Sequence, residues 1–270
     1  MRNRYRKTAA LLMSALFIAI IALSGCGNSD GAAFKVVGTL SSEEFAVAFR
    51  KGDRQGEIID AALRVLASEG EISRLSQKWF GEDLSIVKGD ANALEGMDTS
   101  SRQTLIVGVQ DGTPPMCYID ENGDFSGFDV ELAAMVCRKL ERNYRFISIS
   151  QDKVKVELRS GNIDCAWGAG IDPSDGGFFV TASYMKNEKV IVVRADSNVR
   201  SKNGLRGREL GMTYAPSSLA ALQSDERLKN SLRSYIRYRS VDQCFEALQN
   251  GGCDAVLVDS VSADFYTYRR

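Results

Sequence analysis

One order of secondary structure is predicted twice along this 270-residue chain. The first copy starts at the apolar run TLIVGV (104–109) and ends at IDCAWGAG (163–170), with an amphipathic helix over 128–141 between them. The second copy runs from RELGMTY to CDAVLVDS, over 208–260. Strands that alternate with helices in this way are typical of mixed, mostly parallel sheets with helices on both faces. We therefore expect an α/β protein with two similar lobes.

A cleft is predicted between these lobes. The segment EKVIVVRADSN (188–198) changes from apolar to polar residues, which predicts a strand that crosses from one lobe to the other. In sheets of this type, ligands bind beyond the carboxyl ends of the strands. The loops that follow residues 109, 167, 212 and 258 are therefore where we expect the binding residues.

The first residues predict export from the cytoplasm. Four basic side chains precede an apolar run at 9–23, which is shorter than the roughly 20 residues of a membrane-spanning helix. The run ends in LSGC, which is similar to a bacterial lipoprotein signal, so we expect cleavage after residue 25 and a lipid on Cys26. An uncleaved membrane anchor is the alternative. Either way, the body is predicted to lie outside the cytoplasmic membrane, in the cell envelope.

Composition excludes several kinds of site. Removing residues 1–25, which carry four basic and no acidic side chains, changes the formal net charge from −1 to −5 and disfavours nucleic acid as a partner. The chain has no histidine, which excludes a His-ligated metal and a Ser-His-Asp triad. The other cysteines match no zinc spacing, so we expect neither a metal nor a cofactor. No particular disulfide is predicted, and Cys137 with Cys165 is the first pair to check. These cysteines are Cys117, Cys137, Cys165, Cys244 and Cys253.

Several segments together resemble one protein family. They are VGVQDGTPPMCYIDENGDFSGFDVELA, LRSGNIDCAWGAG, SYMKNEKVIVVRADS, LRGRELGMTYAPSS and ALQNGGCDAVLVDS, within residues 104–262. They are similar to the family 3 solute-binding proteins of amino-acid ABC importers, which have the two-lobed periplasmic-binding-protein type II fold. The resemblance implies a monomer that performs no chemistry. It captures a small polar solute, an amino acid or related amine, and delivers it to an ABC permease.

The order of the segments departs from that family. In the family, the second lobe is followed by a crossing strand, a strand of the first lobe and two helices that end in a Lys-Trp-Phe-Gly type motif. Here the matching pieces FKVVGT, EEFAVAFRKGD and RQGEIIDAALRVLASEGEISRLSQKWFGED stand at the front, within residues 34–83. The chain therefore resembles a circular permutant of the family. The tail of a duplicated gene and a misassembled fragment are the alternatives.

Permutation predicts a particular domain organisation. The polar segment 84–103 becomes a flexible tether inside lobe 1, which joins the usual last helix to the usual first strand. The predicted parts are a lipoprotein signal peptide (1–25), a lipid-anchored linker (26–33), the crossover strand of lobe 2 (34–42), lobe 1 (43–193) and the rest of lobe 2 (194–270).

Five residues of the second lobe are predicted to bind the solute. Asp259 follows the apolar strand AVLV, where the family places the carboxylate that pairs with the ligand's α-amino group; a helix N-cap is the alternative role. Ser217 and Ser218 open a helix, whose free backbone N–H groups attract a carboxylate, although capping also explains a serine there. Thr213 and Tyr214 lie on the preceding loop.

The first lobe matches the family less well. Trp167 offers a ring for stacking or belongs to the core, and glycines let a ligand approach backbone amides. The loop AGIDPSDGGFF (169–179) lacks the Arg with which the family binds the α-carboxylate. A weakly bound amino acid, an amine-rich ligand and the loss of tight binding therefore all stay open. The expected contacts in this lobe are Gln110, Thr113, Gln151, Trp167, Gly168 and Gly170.

Two other functions fit the same fold. Some relatives resemble dehydratases of prephenate-like acids or lytic transglycosylases, so an enzyme is one alternative. Acidic residues do lie in the cleft loops, at Asp111, Asp172, Asp175 and Asp259, but they form no recognisable catalytic pair. A ligand-sensing partner of a membrane receptor is the other alternative.

Overall fold

Two five-stranded sheets organise the protein. The computed structural model describes residues 33–101, 103–168 and 176–269; Cys26, the signal peptide and Gly170 lie outside the described residues. In chain order the strands are β1 (Phe34–Phe45), β2 (Val47–Arg50), β3 (Leu105–Val109), β4 (Tyr118–Ile119), β5 (Phe125–Ser126), β6 (Tyr144–Ser148), β7 (Cys165–Trp167), β8 (Phe178–Val180), β9 (Met185–Arg194), β10 (Glu209–Thr213), β11 (Ser234–Tyr238) and β12 (Ala255–Asp259). Sheet 1 has the order β6-β3-β7-β2-β8, sheet 2 has the order β1-β9-β12-β10-β11, and β4 and β5 form a hairpin.

Helices connect the strands as the sequence predicts. Their amphipathic faces cover the sheets, and several begin at a side chain that caps free backbone N–H groups; Asp53, for example, accepts a hydrogen bond from Gln55 N. The helices are α1 (Arg54–Ser68), α2 (Glu71–Phe80), α3 (Phe128–Lys139), α4 (Val154–Ser160), α5 (Pro216–Ser224), α6 (Glu226–Ser231), α7 (Val241–Gln249) and α8 (Ser260–Asp264). Shorter 3₁₀ turns lie at Gln151–Lys153 and Lys202–Leu205, and a π turn at Phe265–Arg269.

Each sheet is mixed, with four strands in one direction and one strand reversed. In sheet 1, β3 is parallel to β6 and β7, whereas β2 is antiparallel to β7 and β8. In sheet 2, β10 is parallel to β11 and β12, whereas β9 is antiparallel to β12 and β1. The predicted α/β fold with two mixed, mostly parallel sheets is therefore confirmed.

Two neighbouring passages of the chain join the sheets. Strand β1 of sheet 2 continues into β2 of sheet 1 with only Ala46 between them. Strand β8 of sheet 1 leads through residues 181–184 into β9 of sheet 2. Because β1 and β9 pair antiparallel along their whole length, with two register shifts in β1, the passages lie side by side. A pair of strands of this kind is a common form of hinge.

The segment 84–103 differs from the flexible tether that its composition predicts. Lys186 N donates to Leu84 O at 3.1 Å, Ile86 N donates to Tyr184 O at 3.1 Å and Asp90 N donates to Arg64 O at 3.0 Å. Leu84, Val87 and Leu94 pack against the core of sheet 1. These apolar side chains are too far apart in sequence to form a helix or strand period, so the pattern does not predict their packing. Each of them nevertheless buries apolar surface area in the structure.

All five described cysteines are buried and free, so the structure contains no disulfide within its described part, and Cys137 and Cys165 are not bridged. Burial raises the pKa of Cys137 to about 11, against the opposing effect of Arg142 and Arg138, so the thiolate is disfavoured. No helix within residues 33–101, 103–168 and 176–269 is long and apolar enough to cross a membrane.

Candidate functional site

A cavity lies where the carboxyl ends of the strands of the two sheets face each other. Its volume is about 40 Å³, more than the roughly 10–15 Å³ that one ordered water requires. Two wider depressions, of about 680 and 530 Å³, share Gln151 with it. The cavity is lined by Glu43, Glu44, Phe45, Gln110, Thr113, Met116, Asp129, Gln151, Trp167, Gly168, Lys189, Thr213, Ser217, Val241 and Asp259.

Asp259 binds a buried lysine on the cavity floor. It ends β12, directly opposite Lys189 of β9, and its Oδ1 accepts hydrogen bonds from Lys189 Nζ at 2.7 Å and from Asn187 Nδ2. Lys189 Nζ also lies 3.5 Å from Oε2 of Glu43 on β1. Asp259 occupies the N-cap position of α8 without a capping hydrogen bond from its side chain. The carboxylate therefore serves an ion triad, Glu43–Lys189–Asp259, and not the helix.

The triad is charged although its lysine is only 3% exposed. Burial by itself lowers the pKa of Lys189, but the carboxylates of Asp259 and Glu43 outweigh burial and raise that pKa above its ordinary value. Burial also raises the pKa of Glu43, and the negative charge of Asp259 acts in the same direction against the opposing effect of Lys189. Lys189 is therefore an ammonium held between two carboxylates.

A second buried acid, Asp129, lies across the cavity on the first lobe. It sits in the first turn of α3, where Phe128 N and Asp129 N donate to the carbonyls of Pro115 and Met116 at 3.0 Å. This approach requires Gly127, which has φ 130°, because a Cβ there would lie 2.3 Å from the Met116 oxygen. These hydrogen bonds at the start of α3 thereby fix the loop that carries Met116, which lines the cavity.

Asp129 is 5% exposed and has no cationic partner among the described residues. Its Oδ1 accepts a hydrogen bond from Tyr184 Oη at 2.6 Å. Burial raises the pKa of Asp129 to about 7, the charge of Asp259 adds to this effect and the bond from Tyr184 opposes it. At neutral pH the carboxyl group is therefore divided between its two protonation states.

Two hydrogen-bond donors in the wall lack an acceptor. Trp167 is 1% exposed, and neither its Nε1 nor the buried Nε2 of Gln110 has a hydrogen-bond partner within the described residues. Next to Trp167, Gly168 has φ 65°, and a Cβ there would lie 2.5 Å from Asp129 Oδ2. A glycine is thus needed for the chain to turn past the acid. Unpaired buried donors are uncommon in proteins, and a bound ligand or an ordered water is one way in which such donors are satisfied.

The structure brings most of the predicted binding residues to this cavity. Trp167 packs in the core beside Tyr184, which is one of its two expected roles, and it also lines the cavity. Tyr214 instead lines the outer depression, with the Arg237 guanidinium 4.5 Å above its ring, and Ser218 is 1% exposed within α5. The predicted residues that line the cavity are Gln110, Thr113, Gln151, Trp167, Gly168, Thr213, Ser217 and Asp259.

Sequence reasoning missed four charged residues of the cavity. An acid in the first turn of a helix, such as Asp129, is usually explained by the helix dipole. Glu43 and Glu44 stand in a polar stretch of β1, where exposure is the ordinary expectation. Lys189 did carry a signal, because it directly precedes the apolar run VIVV in a strand that the cleft requires. Across the described residues, no group of acids and cysteines is arranged to hold a metal ion.

Replacing Asp129 by Asn is expected to change how stability depends on pH. A carboxyl with a pKa near 7 when folded, against about 3.9 when unfolded, keeps its proton in the folded state, so its contribution to stability falls as pH rises from about 4 to 7. Between these pH values, the contribution of Asp129 to the free energy of unfolding falls by up to about 1.4 kcal/mol per pH unit. The groups that face Asp129, namely Tyr184, Asp259 and Cys117, are retained in the variant.

Urea unfolding of both proteins at pH 5, 6, 7 and 8 measures this effect. The free energy of unfolding of the natural protein minus that of Asp129→Asn should decline up to pH 7 and level off above it. Glu121→Gln, which changes an exposed acid, should leave the difference constant with pH. Parallel curves for the natural protein and Asp129→Asn would show that the buried carboxyl does not hold a proton.

Comparison with known proteins identifies the segment that forms most of this site. Residues 105–238 match the sequence profile of the bacterial extracellular solute-binding proteins, family 3. An arginine-binding periplasmic protein of Mannheimia haemolytica is 25% identical over 163 residues, which cover 60% of this chain and 65% of that protein. The match thus spans slightly less than two thirds of this relative.

Solved structures support the same grouping. An ABC uptake transporter substrate-binding protein from Streptococcus pneumoniae, with bound histidine, is 28% identical with a TM-score of 0.57, over 60% of this chain and 68% of that one. An ancestral amino-acid-binding protein, described as a precursor of cyclohexadienyl dehydratase, shares the fold at 23% identity and a TM-score of 0.53, over 60% and 73% of the two chains. Through residues 105–238 and this fold, the chain is similar to the bacterial extracellular solute-binding proteins of family 3.

Proposed function

We propose that the protein captures a small polar solute, an amino acid or related amine, in the cavity between its lobes and delivers it to an ABC importer. The observation that carries this proposal is the cavity itself. It lies at the carboxyl ends of strands from both sheets and combines acids with unpaired donors. The names of the similar proteins, which bind arginine or histidine, point to the same class of ligand.

Capture works through closure of the lobes. Lobe 1 contributes Asp129, Gln110 and Trp167 to the cavity, whereas lobe 2 contributes Asp259 and its neighbour Lys189. The lobes also touch directly, since Val241 N donates to Gly112 O at 2.9 Å. A ligand that contacts both lobes stabilises the closed form by the contacts it lacks in the open one, with β1 and β9 as the hinge.

The same proposal includes where the protein works. Relatives are named as periplasmic, and the predicted lipid on Cys26 would hold the protein as a monomer at the outer face of the cell membrane, beside the permease. The division into two lobes belongs to this proposal as well. The predicted bounds, with lobe 1 at 43–193 and lobe 2 at 34–42 and 194–270, are changed in one respect: β1 (Phe34–Phe45) and β9 (Met185–Arg194) both lie in sheet 2, so they are assigned to lobe 2.

An enzyme on the same fold is the second candidate. The specific observation in its favour is Asp129, a cavity acid whose pKa of about 7 suits proton transfer. Against it, two of the three other cavity acids, Glu43 and Asp259, are engaged by Lys189. Formation of a new product from prephenate-like acids, followed by chromatography, would favour the enzyme; recovery of each acid unchanged supports binding alone.

We also propose that the chain is a circular permutant of its family. Strand β2 and helices α1 and α2 precede the matched segment in sequence. In the structure, β2 pairs with β7 inside sheet 1, and both helices pack in the same core as β3 and β7. Phe34 at the start of β1 packs against Phe245 at a ring distance of 4.9 Å, in the cluster that contains Tyr266. The start of β1 thus lies beside the turn that follows α8, where an unpermuted chain would connect them.

Rearranging the chain tests the permutation. A protein in which residues 104–269 precede residues 34–103, joined by a short Gly-Ser linker, should unfold cooperatively with a Tm within about 4 °C of the natural order. That shift corresponds to roughly 1 kcal/mol in a chain of this size. A rearranged chain without a cooperative transition would contradict the proposal.

Ligand-induced stabilisation tests the function. Thermal melting of the protein with each common amino acid, polyamine and small acid should show a rise in Tm for at least one compound. Saturation at 100 times the Kd stabilises by about 2.7 kcal/mol. Asp259→Asn should reduce the affinity for that compound at least tenfold, because it removes the charge that faces both the cavity and Lys189.

Asp196→Asn is the matched control, since it neutralises an acid that is 78% exposed. It should leave the affinity unchanged. A cooperatively melting protein that no compound stabilises, or an Asp259→Asn variant with unchanged affinity, would contradict the proposed site.

A further inference from the structure

We propose that the cavity selects a small organic cation that carries an uncharged hydrogen-bond acceptor and no carboxylate, such as the amide of a basic amino acid. This inference deepens the proposed function and rests on it. It follows from the charges that line the cavity, from carboxylate oxygens that are free to accept hydrogen bonds and from the two unpaired donors.

The cavity is negatively charged. Four of its lining residues are acids, Glu43, Glu44, Asp129 and Asp259, and Lys189 is the one cation among the described residues that line it. That ammonium is shared between two of the acids, so it neither balances the other two nor remains available for an anion. A positively charged ligand is therefore favoured and an anionic group is repelled.

Two carboxyl groups that line the cavity each keep one oxygen without a hydrogen bond from the described residues. Lys189 and Asn187 both bind Oδ1 of Asp259, and Tyr184 binds Oδ1 of Asp129. Within the described part of the chain, Oδ2 of either acid accepts no hydrogen bond. The two acids belong to different lobes and interact electrostatically across the cavity. An ammonium or guanidinium group between them makes charge-assisted hydrogen bonds, which are roughly twice as strong as neutral ones.

The two unpaired donors need a hydrogen-bond acceptor, which the same ligand can supply. Trp167 Nε1 and Gln110 Nε2 are buried in the wall without an acceptor among the described residues. A carboxylate would satisfy them, but only by approaching four acids, with Lys189 already engaged and no other cation among the described residues that line the cavity. An amide oxygen accepts the same two hydrogen bonds without a negative charge. Because the donors are neutral and the acids of the triad are charged, the electrostatic repulsion decides against the carboxylate.

Matched ligands isolate the carboxylate. Isothermal titration calorimetry compares arginine, lysine and histidine with argininamide, lysinamide and histidinamide, which keep the cationic groups and the carbonyl oxygen. We expect at least one amide to bind at least tenfold tighter than its parent amino acid. Agmatine, which lacks both the carboxylate and the carbonyl, should bind more weakly than argininamide, because it leaves Trp167 and Gln110 unpaired.

Variants assign the effect to the cavity. Trp167→Phe keeps a ring but removes the indole donor, so it should weaken the amide at least threefold and leave agmatine unchanged. Asp129→Asn should reduce the preference for the amide over the amino acid. Glu121→Gln, an exposed acid in the turn between β4 and β5, is the control and should alter neither.

The outcomes separate this inference from the proposed function. Amino acids that bind as tightly as their amides would overturn the inference while supporting capture of an amino acid. Agmatine that binds as tightly as argininamide would overturn the part assigned to the two donors. If none of the compounds bound to the folded protein, the inference and the amine or amino-acid part of the proposed function would both be wrong.

Discussion

The antiparallel pairing of β1 with β9 is the constraint on which the rest of the structure depends. These strands belong to sheet 2, and each connects to sheet 1 within a few residues. Their hydrogen bonds hold the two passages side by side, so the sheets meet along one edge and leave a cleft elsewhere. The two lobes that carry the cavity residues are connected through this pair of strands. Any separation of the lobes must bend the same pair of strands.

The same pair of strands carries the buried charge of the site. Lys189 of β9 lies between Glu43 of β1 and Asp259 of β12, so three adjacent strands share one ion triad. Taking these charges out of water costs several kcal/mol per ion, and only good geometry offsets that cost; removing one partner typically costs about 3–5 kcal/mol. The strand pair β1 and β9 and the binding site are therefore coupled. A ligand that draws Asp259 away from Lys189 acts directly on the strands that connect the lobes.

The sequence predicts the fold better than the chemistry of the site. Periodic apolar residues fix the strand–helix order of both lobes, and the loops after the strands direct attention to residues such as Asp259 and Trp167. Lys189 and Asp129 were missed because their roles depend on neighbours that are distant in sequence: 70 residues separate Lys189 from its partner, and 55 separate Asp129 from Tyr184. The packing of segment 84–103 was missed for a related reason, since scattered apolar residues carry no period.

The indole N–H resonances of the protein test the account most directly. The chain has two tryptophans, Trp79 in α2 and Trp167 in the cavity, so a ¹⁵N–¹H spectrum contains two indole signals, which Trp79→Phe assigns. Titration with a ligand found by thermal melting should move the Trp167 signal to a position typical of a hydrogen-bonded indole and leave the Trp79 signal in place. A saturating ligand that leaves the Trp167 signal unchanged would contradict binding in the cavity between the lobes.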